Sequence, residues 1–240
     1  MPKSVAFRLI PLLLPLLFLS TCSSEKSGAL EEHVSHGDQY LAAGDALQAI
    51  ASYRMAFYQD SLNADVLGRL AKAYAVQGNA EAADLYLRRA THLTYQTGVE
   101  ALQRGDTTAA VASFALTAQL HPGHTLALNR LGDVSLARGD ADRALGFFAR
   151  ATRANPHYAE SFIKLGRLHA AGGRREEAVQ AFLEAIAANI NAADAYLELG
   201  RLYLDQRRWA AAAEQFDKVL RVDPRSVVAR AALEQARSHL

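Results

Sequence analysis

The chain has 240 residues, half of them hydrophobic and 21% charged, a balance that excludes both a disordered polar chain and one embedded in lipid throughout. Its 26 basic and 25 acidic residues give no excess positive charge of the kind a nucleic-acid footprint needs. The lone cysteine, Cys22, excludes an intramolecular disulfide, and only six prolines in an Ala- and Leu-rich chain favour helix over sheet.

The chain opens on Lys3 and Arg8, followed by an apolar run from Leu9 to Leu19 that Pro11 and Pro15 interrupt. A positive start and a run too short to span a bilayer as a mature helix read as an export leader over residues 1–21. The leader closes on Leu19, Ser20, Thr21 and Cys22, and this quartet resembles the lipobox of bacterial lipoproteins. The resemblance implies that Cys22 is lipidated and becomes the new N-terminus. Each buried acyl methylene contributes about 0.8 kcal/mol, so several chains anchor the protein stably to a membrane. Ser23 rather than Asp follows the cysteine, which by the same resemblance implies the outer membrane, facing the periplasm. Removal of the leader leaves 24 basic against 25 acidic residues, with no polybasic patch. Residues 22–29, polar from Ser23 to Gly28, read as a lipidated tether.

From residue 30 to residue 226 the chain repeats itself. Small residues recur at Gly37, Ala71, Gly98, Gly132, Gly166 and Gly200, and four of the five spacings are 34. Twelve residues after each stands an alanine: Ala49, Ala83, Ala110, Ala144, Ala178 and Ala212. Four further on comes a large apolar residue, Tyr53, Leu87, Phe114, Phe148, Phe182 or Phe216, and three after that Ala56, Ala90, Thr117, Ala151, Ala185 or Val219. Offsets of four and then seven mark one face of a helix. Tyr196, Leu199, Gly200 and Tyr203 show the same face on an earlier helix, so each unit is a helix pair. The pattern suggests that the small residue faces the alanine to bring the two backbones close, while the aromatic fills the space between neighbouring units. One pair cannot bury its own apolar face, and stacking at least three supplies the missing cover.

Gly44-Asp45, Gly78-Asn79, Gly105-Asp106 and Gly139-Asp140 separate the paired helices, with glycine suited to a left-handed cap and Asp or Asn to an N-cap. Pro122, Pro156 and Pro224 end units, and Ile190 in the equivalent place is expected to loosen its turn. The interval from Ala71 to Gly98 is 27 residues, seven short, which is about two helical turns and keeps the apolar face in phase. A fused helix or a very short connection is therefore expected within Ala80 to Leu102.

The Gly, Ala, aromatic, Ala, Pro series at these offsets resembles the tetratricopeptide repeat. The resemblance implies an all-α fold, a right-handed superhelical solenoid of about six helical hairpins with a C-terminal capping helix. The units fall at 30–63, 64–90 (shortened), 91–124, 125–158, 159–192 and 193–226, with the cap over 227–240.

Nothing in the chain has the pattern of a phosphate loop, a nucleophile elbow or a paired-cysteine metal site, so no enzyme activity, catalytic residue or cofactor is expected. His33 and His36 share a helix face at a metal-compatible spacing without an evident third ligand, and His121 and His124 flank a Pro-Gly turn. The family resemblance implies a concave groove lined by first-helix residues, for proteins or peptides rather than nucleic acid. Its register selects Tyr95, Asn129 and Asp133, then Ile163 and Arg167, then Leu197 and Arg201. Arg167 and Arg201 lie one period apart, near enough to share one carboxylate or phosphate of a partner or to pair with Asp133 or Asp205. Asn129 is placed to hydrogen-bond a partner's backbone. Asp133 stands as a like-charge obstacle to an acidic ligand. The carboxylate-clamp motif of some family members is not reproduced, because Arg130 and Lys164 stand off its pattern. The reading is a membrane-anchored scaffold or adaptor of the bacterial envelope, with pilus or envelope-complex assembly as its setting. Two alternatives are a regulator or presenter of a separate envelope hydrolase and a self-associating structural lipoprotein.

Overall fold

The computed structural model describes the backbone from Leu17 and the side chains from Gly28 onward. Most of the leader, and the side chain of Cys22, lie outside the described residues. The described chain is all helix: α1 (Leu17–Ala42), α2 (Ala46–Gln59), α3 (Ala64–Gln77), α4 (Ala80–Gln103), α5 (Thr107–Leu120), α6 (Thr125–Ala137), α7 (Ala141–Ala154), α8 (Ala159–Ala171), α9 (Arg175–Ala188), α10 (Ala193–Asp205), α11 (Trp209–Val222) and α12 (Val227–Arg237). Helix α1 takes in Ser23 to Gly28, which the composition suggested as a tether. No helix among the described residues is long and apolar enough to cross a membrane.

Turn chemistry sets the hairpins. Gly44, Gly78, Gly105, Gly139 and Gly173 hold φ between +74° and +87°, where a side chain is disfavoured. The residue after four of these glycines caps the following helix: the side chains of Asp45, Asn79, Asp106 and Asp140 accept the backbone N–H groups of Gln48, Ala82, Ala109 and Arg143 at 2.9–3.1 Å. The sixth hairpin departs from this rule, with Arg207 at φ 56° and an uncapped Arg208.

The turns between hairpins share a second device. Asp60, Asn155, Asn189 and Asp223 are extended, and the side chain of each accepts the N–H two residues on at 3.0 Å. Proline follows Asn155 and Asp223 and enforces that extended backbone. Ile190 follows Asn189, yet the turn has the same geometry. The expected loosening does not occur, because the Asn189 side chain closes the turn without proline.

Each glycine of the repeat gives room to a ring of its own hairpin. A Cβ built at Gly98, Gly166 or Gly200 would stand 2.6 Å from the ring of Phe114, Phe182 or Phe216, and the nearest neighbours at Gly37 and Gly132 are Tyr53 and Phe148. The nearest neighbour of the small residue is thus the ring rather than its alanine mate, and the same rings pack against the next hairpin as expected, Phe114 with Leu128 and Phe182 with Leu199. The ring lies flat on the first helix, and only a residue without Cβ admits it. The five rings are 0–1% exposed, each contributing about 1.5–3 kcal/mol through burial. The alanines Ala49, Ala110, Ala144, Ala178 and Ala212 are wholly buried beside them.

The chain divides into two compact units, with the boundary between Ala90 and Thr91. The first has one core, built from Ile50, Tyr53, Val66, Leu70 and their neighbours, with Tyr74 stacked on Tyr86 at 5.4 Å. In the second, successive cores run from around Phe114 and Leu128 to around Phe216 and Leu233, where α12 closes the last hairpin. The junction lies within α4, a single helix of 24 residues. It serves as second helix of the shortened hairpin and first helix of the next, as the seven-residue deletion leads one to expect.

Candidate partner groove

The site is assembled on the first helices of the second unit, where residues on either side of each glycine point away from the ring that the glycine admits. Three ion pairs follow one rule. The residue after the small position of one hairpin meets the residue two before the small position of the next, 31 positions on: Asp38 with Arg69, Asp133 with Lys164 at 2.7 Å, and Arg167 with Glu198 at 2.9 Å. The sign of the charge is free to invert because only complementarity across the gap is required. Opposite charges 31 apart, one period less three, would have found all three pairs in the sequence. Each partly exposed pair contributes about 0.2–1 kcal/mol.

In the first unit, Asp38 also accepts the Tyr53 hydroxyl at 2.7 Å. Burial opposes ionisation of Asp38. The hydrogen bonds from Tyr53 and Arg69, with the charge of Arg69, outweigh it and hold the carboxyl below its ordinary range.

In the second unit, Arg167 donates to Glu198 and, at 3.2 Å, to Asp194, while Arg201 reaches Glu198 at 3.4 Å. The two arginines one period apart therefore share a carboxylate of this chain. Neither pairs with Asp133 or Asp205, because the 31-residue rule places Glu198 between them. Arg201 belongs to the last hairpin, and 31 positions on α12 carries Ala232 rather than a carboxylate. Both side chains are about half exposed, at 48% and 50%.

Asp133 is neutralised by Lys164 and flanked by Arg130 at 3.9 Å, so the acid expected to oppose an acidic ligand is screened within the chain. Asn129 is 4% exposed, and its Nδ2 donates to Ser161 Oγ in the next hairpin at 2.8 Å. Its Oδ1 is buried without a hydrogen-bond partner. Ile163, 7% exposed, and half-buried Leu197 form apolar floor. Tyr95, half-buried, packs against Phe114 and against His124 at 5.2 Å, with the Arg130 guanidinium facing its hydroxyl. Beside it the Tyr158 hydroxyl donates to Glu160 at 2.8 Å; burial and that bond push its pKa up to about 12. Sequence reasoning missed Glu198, Asp194 and Ser161. The first two lie off the inherited groove register, and Ser161 is short and buried. Among the described residues no three His, Cys, Asp or Glu side chains form a metal-binding group, and His33 and His36 stand on α1 without a third ligand.

Family models described as the tetratricopeptide repeat match residues 95–159 and 163–227, and a second such model matches residues 135–189. No curated protein matches the sequence. Among solved structures the chain is similar to the APC/C hetero-tetramer Cut9-Hcn1, with TM-score 0.53, 18% identity, and coverage of 92% of this chain and 45% of that one. The chain thus spans less than half the length of that relative. It is similar also to pilF of Pseudomonas aeruginosa, with TM-score 0.51, 20% identity, and coverage of 90% of this chain and 100% of that one. At these identities the likeness shows the fold, and the family models covering more than half of the sequence establish that this chain belongs to the tetratricopeptide repeat family.

Proposed function

We propose that this chain is a protein-binding scaffold whose groove over residues 91–226 receives an extended acidic segment of a partner, and that acylation of Cys22 holds it at the bacterial envelope, facing the periplasm from the outer membrane. The observation that carries the groove reading is the pair Arg167 and Arg201, half exposed and sharing the carboxylate of Glu198, with Arg167 also on Asp194. A partner carboxylate exchanges for Glu198 at little net cost, since one charge-assisted contact replaces another. The buried Oδ1 of Asn129 supports the same reading, as an acceptor for a backbone N–H once the groove is occupied. Ile163 and Leu197 supply the apolar burial from which affinity comes. The anchor reading rests on the lipobox-like quartet at Leu19 to Cys22, and the acyl anchor raises the local concentration of partners at the membrane.

Two experiments test it. Extended peptides carrying Asp or Glu, with Asn or Gln isosteres as controls, are titrated into the purified chain by fluorescence anisotropy. Acidic peptides bind with an affinity that falls as salt rises, and Arg167→Glu with Arg201→Glu abolishes it. Equal binding of the isosteres rejects the groove assignment. For the anchor, cells are fed an alkyne palmitate. The wild type takes up label and Cys22→Ser does not; an unlabelled wild type removes the anchor from the account.

A further inference from the structure

A cleft of about 220 Å³ opens in the second unit between α5, α6 and α7, lined by none of the groove residues named above. Its apolar lining comes from Val111, Leu131, Val134 and Phe147. The repeat itself explains why the space is empty. Three residues after the small position stand Tyr40, Tyr74, His169 and Tyr203 in four hairpins, whereas the third has Ala101 and the fourth Ser135. The Ser135 hydroxyl donates to Leu131 O at 2.8 Å, so it adds no unmet polar demand to the cleft. In the following hairpins the corresponding place holds a ring with an arginine laid on it: Arg174 donates to His169 Nδ1 at 2.8 Å, and the Arg208 guanidinium lies 4.4 Å from the centre of the Tyr203 ring. The fourth hairpin lacks the ring, and Asp140 occupies the position of those arginines while capping α7.

The rim carries Arg138 and Arg143, and neither guanidinium forms an ion pair among the described residues. Arg143 lies 5.9 Å from the Phe147 ring. Against these two guanidiniums the cleft presents one carboxylate, Asp140. We infer that this cleft is a second docking site, which takes an aromatic side chain from an acidic segment of a partner protein: the ring occupies the place that four other hairpins fill with Tyr or His, and flanking carboxylates meet Arg138 and Arg143. Aromatic anchors in small desolvated pockets, with charge at the rim, are the usual construction of an interaction hot spot.

The test is an amide-shift titration of the full chain with three capped tripeptides: Asp-Phe-Glu, Asp-Ala-Glu and Lys-Phe-Lys. Asp-Phe-Glu gives saturable shifts at Val111, Val134 and Ser135, while the other two give none there. Ser135→Tyr and Ser135→His insert the rings that four other hairpins already carry; both keep or raise the melting temperature and lose the shifts. Arg138→Ala and Arg143→Ala each weaken binding roughly two- to fivefold. Having two ring variants protects the test from the misfolding of either one. Absence of shifts with Asp-Phe-Glu, their persistence in a folded ring variant, or equal binding of Lys-Phe-Lys overturns the assignment.

Discussion

Replacing Gly166 by alanine tests the packing rule on which the hairpins rest. The new Cβ would stand 2.6, 2.8 and 2.9 Å from three ring atoms of Phe182, inside van der Waals contact, and that ring is 1% exposed with nowhere to move. Overpacking against such a neighbour costs about 3 kcal/mol, and alanine returns about 1 kcal/mol through helix propensity. The net loss is about 2 kcal/mol, or about 4–8 °C in melting temperature for a chain of this size. The second hairpin contains the compensated solution, with Ala71 and Leu87 in place of Gly and an aromatic. Phe182→Leu alone removes ring contacts and costs about 1 kcal/mol. Combined with Gly166→Ala, it relieves the overlap, so the double variant is more stable than the sum of the singles by at least ~1 kcal/mol. Urea unfolding of the four proteins measures this coupling. Strictly additive losses, or a Gly166→Ala protein as stable as the wild type, would refute the claim that glycine is there to admit the ring.

Other consequences are open to similar measurement. Arg207 holds a left-handed backbone that five other turns assign to glycine, so Arg207→Gly raises stability by about 0.5–1 kcal/mol in thermal melts despite the added freedom of the unfolded chain. His124 caps α6 through Nδ1, which accepts the Ala127 N–H at 3.2 Å and must be unprotonated to do so. Burial, then the neighbouring His121, hold its pKa below 6.5 in the folded state, so the native protein binds fewer protons than the unfolded one. Its contribution is complete above about pH 6.5 and is lost as pH falls below that toward the folded value. His169, lowered by burial and Arg174, acts in the same sense, and His124→Asn shallows the slope of melting temperature against pH without abolishing it. Exchanging the charges of Arg167 and Glu198 together keeps the inter-hairpin pair and leaves stability within about 0.5 kcal/mol, whereas Arg167→Glu alone sets it against Asp194 and Glu198 and lowers stability by up to about 1 kcal/mol, read by urea unfolding.

The periodic parts of the fold were legible because each recurring residue answers a local demand. Glycine at a left-handed cap in five turns, Asp or Asn one residue later in four, and a buried ring sixteen residues after the small position in five hairpins each declare themselves by recurrence. The single α4 helix was legible from the phase of a seven-residue deletion. What the small residue touches was not, since spacing alone does not say whether the alanine or the ring lies above it. The same limit hid the charge network. Arg167 and Arg201 stood out as a pair one period apart, but the carboxylate they share, Glu198, comes from a cross-hairpin offset that a 34-residue comparison passes over. The turn at Ile190 was misjudged because proline was credited with work that Asn189 does. The cleft over Ser135 is a missing side chain, seen only against the rings that four other hairpins carry.

The central claim is that the groove of residues 91–226 holds a partner protein, and in-cell photocrosslinking tests it most directly. Benzoylphenylalanine placed at Asp194, beside Arg167, is compared with the same residue at Glu184, an exposed position on α9. The account predicts a discrete adduct from position 194 that disappears when Arg167 and Arg201 are both changed to Glu, with none from position 184. No adduct from position 194, or one indifferent to those two arginines, would contradict it.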